Sequence, residues 1–377
     1  MSYKPHFERF LESDPERLHF AAHSHHPWPD VSFEAHERAW IDASIHQDDK
    51  WDHIFGEVIP ETQALVATIL GLSDPVTLTF APNTHQFLVR IFSCLDPPVR
   101  ILTTDAEFHS FDRQSRRWEE AGLAIADRVP AEPFDTFAER FTAEARAGVH
   151  DLIYLSQVFF DSGFVVPELE KVVSSVPDNK AFFVVDGYHG FMAMPTNLGA
   201  IQDRVFYLAG GYKYAMSGEG ACFLHAPAGY GRRPVDTGWY AGFGALTKRP
   251  DEVGYAADGS RFAGATYDPS GIYRMRAVLS FLDGIGVGVG TIRSHVEDLQ
   301  RRLLANVPDI GELLPPPGHT RGNFVTWRNQ NAEGIYRRLH DRKVVIDFRG
   351  DRLRIGFGIY HDTEDIDRLG GILEEIF

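Results

Sequence analysis

The chain has 377 residues, 44% hydrophobic and 24% charged, an ordinary soluble composition in a chain longer than the roughly 100–200 residues of one domain. Its 37 basic and 53 acidic side chains give a net charge of −16, which excludes the basic surface that nucleic acids and anionic membranes require of a partner. Cys94 and Cys222 both sit in apolar runs and form no CxxC pair, so buried thiols are expected rather than a disulfide or a redox motif.

In chain order, MSYKPHFERF lacks the charged-then-apolar pattern of a leader, and no apolar run approaches the ~20 residues of a membrane span. A cytoplasmic enzyme is expected. Next, HFAAHSHHPWPD carries His23, His25 and His26 after a short apolar run. A His-x-His at a strand end is how an amidohydrolase-type barrel begins its metal site, which makes a metal hydrolase the remote alternative. Such a barrel needs further ligands at later strand ends, and only Asp186 with His189 stands at such a place. The expectation is therefore no metal, with these histidines, His25 foremost, at the substrate entrance.

From residue 76 onward, β-rich runs alternate with amphipathic segments. VTLTFA (76–81), RILTT (100–104), DLIYLSQV (151–158), AFFVVDG (181–187), RVFYLAG (204–210) and GACFLHA (220–226) are expected strands, and 84–95, 109–121, 134–147 and 167–176 are expected helices. Runs apolar on both sides, such as FFVV, suit a mostly parallel sheet covered by helices. A Gly- and Pro-punctuated loop region (226–271) and one long helix over about 269–305 follow. NFVTWR (323–328), a helix 331–342, KVVIDFR (343–349), DRLRIGFG (351–358) and a helix 362–376 then predict a small α+β unit with an antiparallel sheet. The expected organisation is an arm (1–45), a large domain (46–270) and a small C-terminal domain (271–377).

Two strand ends carry the chemistry. AFFVVDGYHG ends a buried run in Asp186, and ligands of open α/β sheets sit at the carboxyl ends of strands. A helix-capping aspartate is the plainer reading of that segment alone. RVFYLAGGYKYAMSGEG places Lys213 between Tyr212 and Tyr214, after two glycines. Desolvation there lowers a lysine's pKa and makes its amine a nucleophile. An acid at one strand end and a lysine at the next meet the needs of a pyridoxal 5′-phosphate (PLP) site. Lys213 forms a Schiff base with the aldehyde, and Asp186 keeps the pyridine nitrogen protonated.

With these residues the chain resembles the fold type I PLP enzymes of the class V aminotransferase group, most closely the kynureninase branch, from about residue 18 to its end. The resemblance implies a homodimer with shared active sites and assigns further residues. Asn83 and Thr84, in TFAPNTHQF, fall on the phosphate loop, and Phe108, with His109 as the alternative, on the ring that stacks on the cofactor. Ser156 or Gln157 falls near the cofactor's phenolic oxygen and the substrate. His189 and Tyr212 match cofactor-binding positions, and Trp239 and Thr266 match the phosphate, the latter donated by the second subunit. Arg354, in DRLRIGFG, matches the arginine that grips the substrate's α-carboxylate, a task suited to its fork-shaped guanidinium; an edge-strand arginine in a local ion pair with Asp347 or Asp351 is the plainer reading.

Two segments depart from the kynureninase pattern. Ala241-Gly242-Phe243 stands where that branch has its histidine, and AAHSHHPWPD replaces its N-terminal loop. Both lie on the substrate side, which turns the expectation from kynurenine towards amino-group transfer on a small α-amino acid. A kynureninase-type hydrolase cleaving a Cβ–Cγ bond is the alternative. A cysteine-desulfurase reading needs a mobile nucleophilic cysteine, and neither cysteine lies in a mobile polar loop.

Overall fold

The β-rich runs assemble side by side because each is apolar on both faces. In the computed structural model, which describes residues 2–177, 181–245 and 253–377, the strands are β1 (Leu78–Ala81), β2 (Val99–Thr104), β3 (Ala124–Val129), β4 (Leu152–Ser156), β5 (Phe182–Asp186), β6 (Phe206–Gly210) and β7 (Cys222–His225). They form one seven-stranded sheet in the order β1-β7-β6-β5-β4-β2-β3. Only β7 runs against its neighbours; the remaining pairs are parallel. Alternate side chains feed two separate cores. Ile153, Leu155, Phe183 and Val185 point into one, and Leu152, Tyr154, Phe182 and Val184 into the other.

Edge strand β3 was not among the expected elements. Asp127 and Arg128 interrupt its apolar character, and at a sheet edge with one open face such residues remain hydrated. Helices α1 (Thr84–Phe92), α2 (His109–Glu120) and α3 (Phe137–Arg146) follow β1, β2 and β3. Asn83 caps α1 by accepting from the Gln86 amide at 3.1 Å.

The single long helix expected over 269–305 is instead two, α4 (Ser270–Gly284) and α5 (Val289–Asn306), bent by 81°. The run Gly284-Ile285-Gly286-Val287-Gly288 breaks it, with Gly286 in the left-handed region at φ +71°. Among the described residues no single helix is long and apolar enough to cross a membrane.

The second sheet, β8 (Glu312–Leu314), β9 (Phe324–Arg328), β10 (Asp347–Arg349) and β11 (Arg352–Gly356), is antiparallel in the order β10-β11-β9-β8. KVVIDFR is not one strand. Val344–Val345 pairs in parallel with Leu18–His19, while Asp347–Arg349 turns to pair with β11. Through that first pairing Leu18 and Phe20 join the core formed by Leu353, Ile355 and helices α6 (Ala332–Asp341) and α7 (Thr363–Ile376). The N-terminal histidine segment is thereby carried to the sheet that bears Arg354.

Candidate active site

A cavity of about 300 Å³ opens at the carboxyl ends of β4 and β5, lined by Asn83, Thr84, Phe108, Ser156, Asp186, Tyr188, His189, Tyr212, Lys213 and Cys222 among others. Lys213 and Asp186, read from two separate strand ends, share this one space. Each is more than nine-tenths buried.

The Lys213 amine lies 2.7 Å from Nε2 of His189 and within 5.0–5.7 Å of the ring centres of Tyr188, Phe108 and Tyr212. Burial pulls its pKa down to about 7; Asp186 opposes the shift and Arg354 adds to it. Burial likewise holds His189 well below the ordinary imidazole value, with Lys213 adding to the effect. The ring is therefore neutral, and its Nε2 accepts from the amine. The second ring nitrogen, Nδ1, is buried without a partner.

Asp186 is held from both sides. Tyr154 donates its phenol to Oδ2 at 2.7 Å, and the Tyr188 amide donates to Oδ1 at 2.9 Å. Burial raises the Asp186 carboxyl, and these two donors together with Lys213 pull against that rise. Tyr154 was not foreseen. Strand alternation and register put it on the same face as Asp186, two residues from Ser156, which pairs with Asp186, and its ring stacks on Phe111 at 3.7 Å.

The same alternation separates Ser156 from Gln157. Ser156 lines the cavity, whereas Gln157 points to the opposite face, donating to Thr196 at 2.7 Å and accepting from Tyr207 at 3.1 Å. Of that pair it is Ser156 that the fold brings to the site. Beneath Ser156 lies an unforeseen acid, Glu107, which accepts from the Ser156 hydroxyl at 2.5 Å, the Ser156 amide at 3.1 Å and Thr104 Oγ1 at 3.0 Å. Burial raises its carboxyl to about 8. No local signal singles it out, because Glu107 lies in the polar run Thr103-Thr104-Asp105-Ala106-Glu107 before Phe108.

Phe108 is on the cavity wall; His109, the alternative, is not, and packs on Phe160 at 5.0 Å. The start of α1 contributes Asn83, Thr84 and His85, so amides of a nine-residue helix without intrahelical partners face the space. Trp239 and Thr266 lie outside it. They form an exposed pair, the indole donating to Thr266 Oγ1 at 3.1 Å.

The three N-terminal histidines diverge. His23 is buried and bonded to Asp347 at 2.9 Å, and His26 to the carbonyl of Pro27 at 2.6 Å. His25 is exposed, stacking on Tyr212 at 5.4 Å and standing 3.9 Å from Glu219, which itself lines the cavity. Among the described residues no cluster of three or more His, Cys, Asp or Glu side chains is arranged to hold a metal.

Arg354 is also absent from the cavity lining. Its Nε donates to Asp347 Oδ1 at 2.8 Å, and its other two nitrogens donate to Asp347 Oδ2 and to the carbonyl of Phe160, a cavity residue. Both cysteines are buried. Cys222 touches the cavity but lies 3.3 Å from the Tyr188 hydroxyl, and burial pushes both thiols up to about 12, where they remain protonated.

Residues 295–373 match the family model described as the kynureninase C-terminal domain. No curated protein matches the sequence. Solved structures of the same fold cover almost the whole chain. The cystine C–S lyase C-DES, in complex with its reaction product cysteine persulfide, is 18% identical over 95% of this chain and 97% of its own, at a TM-score of 0.80. A C-DES mutant with glycine covalently linked to the PLP cofactor is 18% identical, covers 97% and 98%, and gives 0.82. The apo cysteine desulfurase of Thermococcus onnurineus NA1 is 17% identical over 100% of this chain and 98% of its own, at 0.81. The chain thus shares the fold of these structures over nearly its whole length, and its residues 295–373 are similar to the kynureninase C-terminal domain.

Proposed function

We propose that the cavity binds PLP and that the protein is a cytoplasmic, homodimeric enzyme transferring the amino group of a small α-amino acid. The observation that carries this reading is that a buried amine, Lys213, and a buried acid, Asp186, line one space together with an aromatic face and a helix N-terminus. The residues fit the group. An acid raised by burial lacks a full counter-cation, which a protonated pyridine nitrogen provides. The open amides of α1 suit a phosphate.

Bound there, PLP supplies the electron sink for a bond broken at the substrate's Cα. Lys213 would hold the aldehyde carbon, Asp186 the ring nitrogen, and Phe108 the ring face. Asn83, Thr84 and Tyr212 would take the phosphate, and Trp239 and Thr266, exposed outside the cavity of their own chain, would join them from the second subunit. His189 keeps the Lys213 amine aimed by accepting a hydrogen bond from it at Nε2. With burial pulling its amine down to about 7, Lys213 would be matched to taking and returning a substrate's Cα proton at neutral pH. Arg354, behind the cavity residue Phe160 and paired with Asp347, is the cation available to the α-carboxylate, and His25 stands beside the cavity residue Glu219.

Hydrolysis of the kynureninase type is the second reading, favoured by the match over residues 295–373. Tyr188 and Tyr212 are on the cavity wall as hydroxyls for a developing oxyanion; Tyr240 is not. Incubating the PLP-loaded protein with a panel of amino acids separates the two. Transfer leaves pyridoxamine phosphate and needs a keto acid to restart, whereas hydrolysis of kynurenine releases anthranilate without exhausting the cofactor. A protein that takes up no PLP would remove both readings.

A further inference from the structure

Arg354 is held as though a carboxylate were already bound. Both oxygens of Asp347 occupy one edge of its guanidinium, and the Phe160 carbonyl takes a third donor, leaving two of the five a guanidinium possesses. The side chains of Arg354 and Asp347 are only 4% and 13% exposed. Asp347 is in turn fixed by His23 Nε2 at 2.9 Å. His23 cannot retreat, because it is wholly buried, stacks on Phe324 at 4.9 Å and lies against β11 so closely that a Cβ on Gly356 would meet its Nδ1 at 2.1 Å.

Charge makes the arrangement selective. Burial alone would raise the Asp347 carboxyl, yet His23 and Arg354 hold it well below the usual carboxylate range. Burial keeps His23 itself neutral, with a pKa of about 4, so at neutral pH the compensating cations are two guanidinium groups, Arg354 in bidentate contact and the half-exposed Arg349 at 3.6 Å from Asp347 Oδ2. A substrate carboxylate arriving at Arg354 must either add a second anion beside a guanidinium edge that Asp347 already fills or displace Asp347.

We propose that Asp347 is a specificity-determining residue that competes with the substrate's carboxylate for Arg354, so that the site discriminates only weakly between an α-amino acid and the corresponding amine. This rests on the PLP reading above and names the substrate selection of the same site. An arginine with an open fork favours the carboxylated ligand by 2–3 orders of magnitude, about 3–4 kcal/mol. A fork already filled by Asp347 forfeits most of that preference.

The test uses the PLP-loaded protein titrated with L-alanine and with ethylamine, reading the shift of the cofactor's visible band as binding, not turnover. In the wild type the two dissociation constants are expected within about tenfold of each other. A preference for L-alanine above about a hundredfold would overturn the proposal. In Asp347→Asn, the constant for L-alanine is expected to fall about tenfold while that for ethylamine stays put. A rise for L-alanine, or no change in either, would mean that Asp347 only orients Arg354.

A second arm needs no cofactor. Propionate is expected to raise the Tm of cofactor-free Asp347→Asn and not that of the wild type; equal shifts in both count against the proposal. If Asp347→Asn does not fold, the wild-type ratio decides. Absence of any visible band would fail the PLP reading instead, and the propionate arm would still report on the fork.

Discussion

The amine of Lys213 is 2.7 Å from Nε2 of His189, and both groups are buried. A neutral imidazole beside a lysine whose pKa has dropped to about 7 makes a nucleophilic amine at physiological pH, held in one direction. Lys213→Ala should abolish the visible band on PLP addition while circular dichroism and Tm stay close to wild type, since what is removed is a poorly solvated amine. A variant that still forms the band, with borohydride reduction fixing the label on another residue, would put the cofactor's attachment elsewhere.

The rate of PLP uptake should depend on pH in a defined sense. The amine attacks only when unprotonated, and burial lowers the pKa from 10.5 to about 7. Uptake should therefore rise with pH and reach half its maximum near pH 7. Stopped-flow absorbance between pH 5.5 and 9 measures this, and a midpoint near the ordinary lysine value would contradict the burial argument.

Asp186→Ala should leave PLP weakly bound and chemistry nearly absent, because nothing then keeps the pyridine nitrogen protonated. Tyr154→Phe removes the donor at 2.7 Å from Asp186 Oδ2. That loss should cost about 1–3 kcal/mol of stability, the penalty of a buried acceptor left with one partner fewer. Urea unfolding of the cofactor-free variant checks it.

Glu107 offers a test in the cofactor-free protein. Its pKa rises from 4.5 to about 8 on folding because burial disfavours the charge. The folded state therefore binds the proton more tightly, so the stabilising contribution is full below about pH 4.5 and is lost as pH rises towards 8. Glu107→Gln cannot ionise and should flatten the decline in stability across that window. Denaturation at a series of pH values gives the slope directly.

Trp239 and Thr266 form an exposed pair away from the cavity of their own chain. If the second subunit supplies them to the phosphate, Lys213→Ala and a Trp239→Ala, Thr266→Ala double variant should each be inactive alone. Hybrid dimers mixed from the two should recover up to about one quarter of wild-type activity per total chain, because half of the dimers are hybrid and each holds one intact site. No recovery would return those residues to a structural role.

Much of this site was legible because its carriers follow from local rules. A buried β run ending in Asp186 and a lysine between two tyrosines after two glycines need no tertiary information to look unusual. Phe108, Asn83 and Thr84 were placed by the resemblance to the class V PLP enzymes rather than by local rules, and period-two alternation would have chosen Ser156 over Gln157 had the sheet faces been known. Long-range pairing escaped that logic. A run that reads as one strand, KVVIDFR, divides between two partners 300 residues apart in sequence. The helix over 269–305 breaks where three glycines alternate.

What the amino-acid order determined by itself was the layered α/β class, the strand ends that bear an acid and an amine, and the burial of both cysteines, all consequences of hydrophobic periodicity and side-chain chemistry within about ten residues. Only the tertiary structure decided that Asp347 and His23 close on Arg354, that Glu107 and Tyr154 stand behind Ser156 and Asp186, and that Gln157 faces away. Those relationships depend on which segments meet in space, and the energy of a buried charge is set by neighbours that no local window contains.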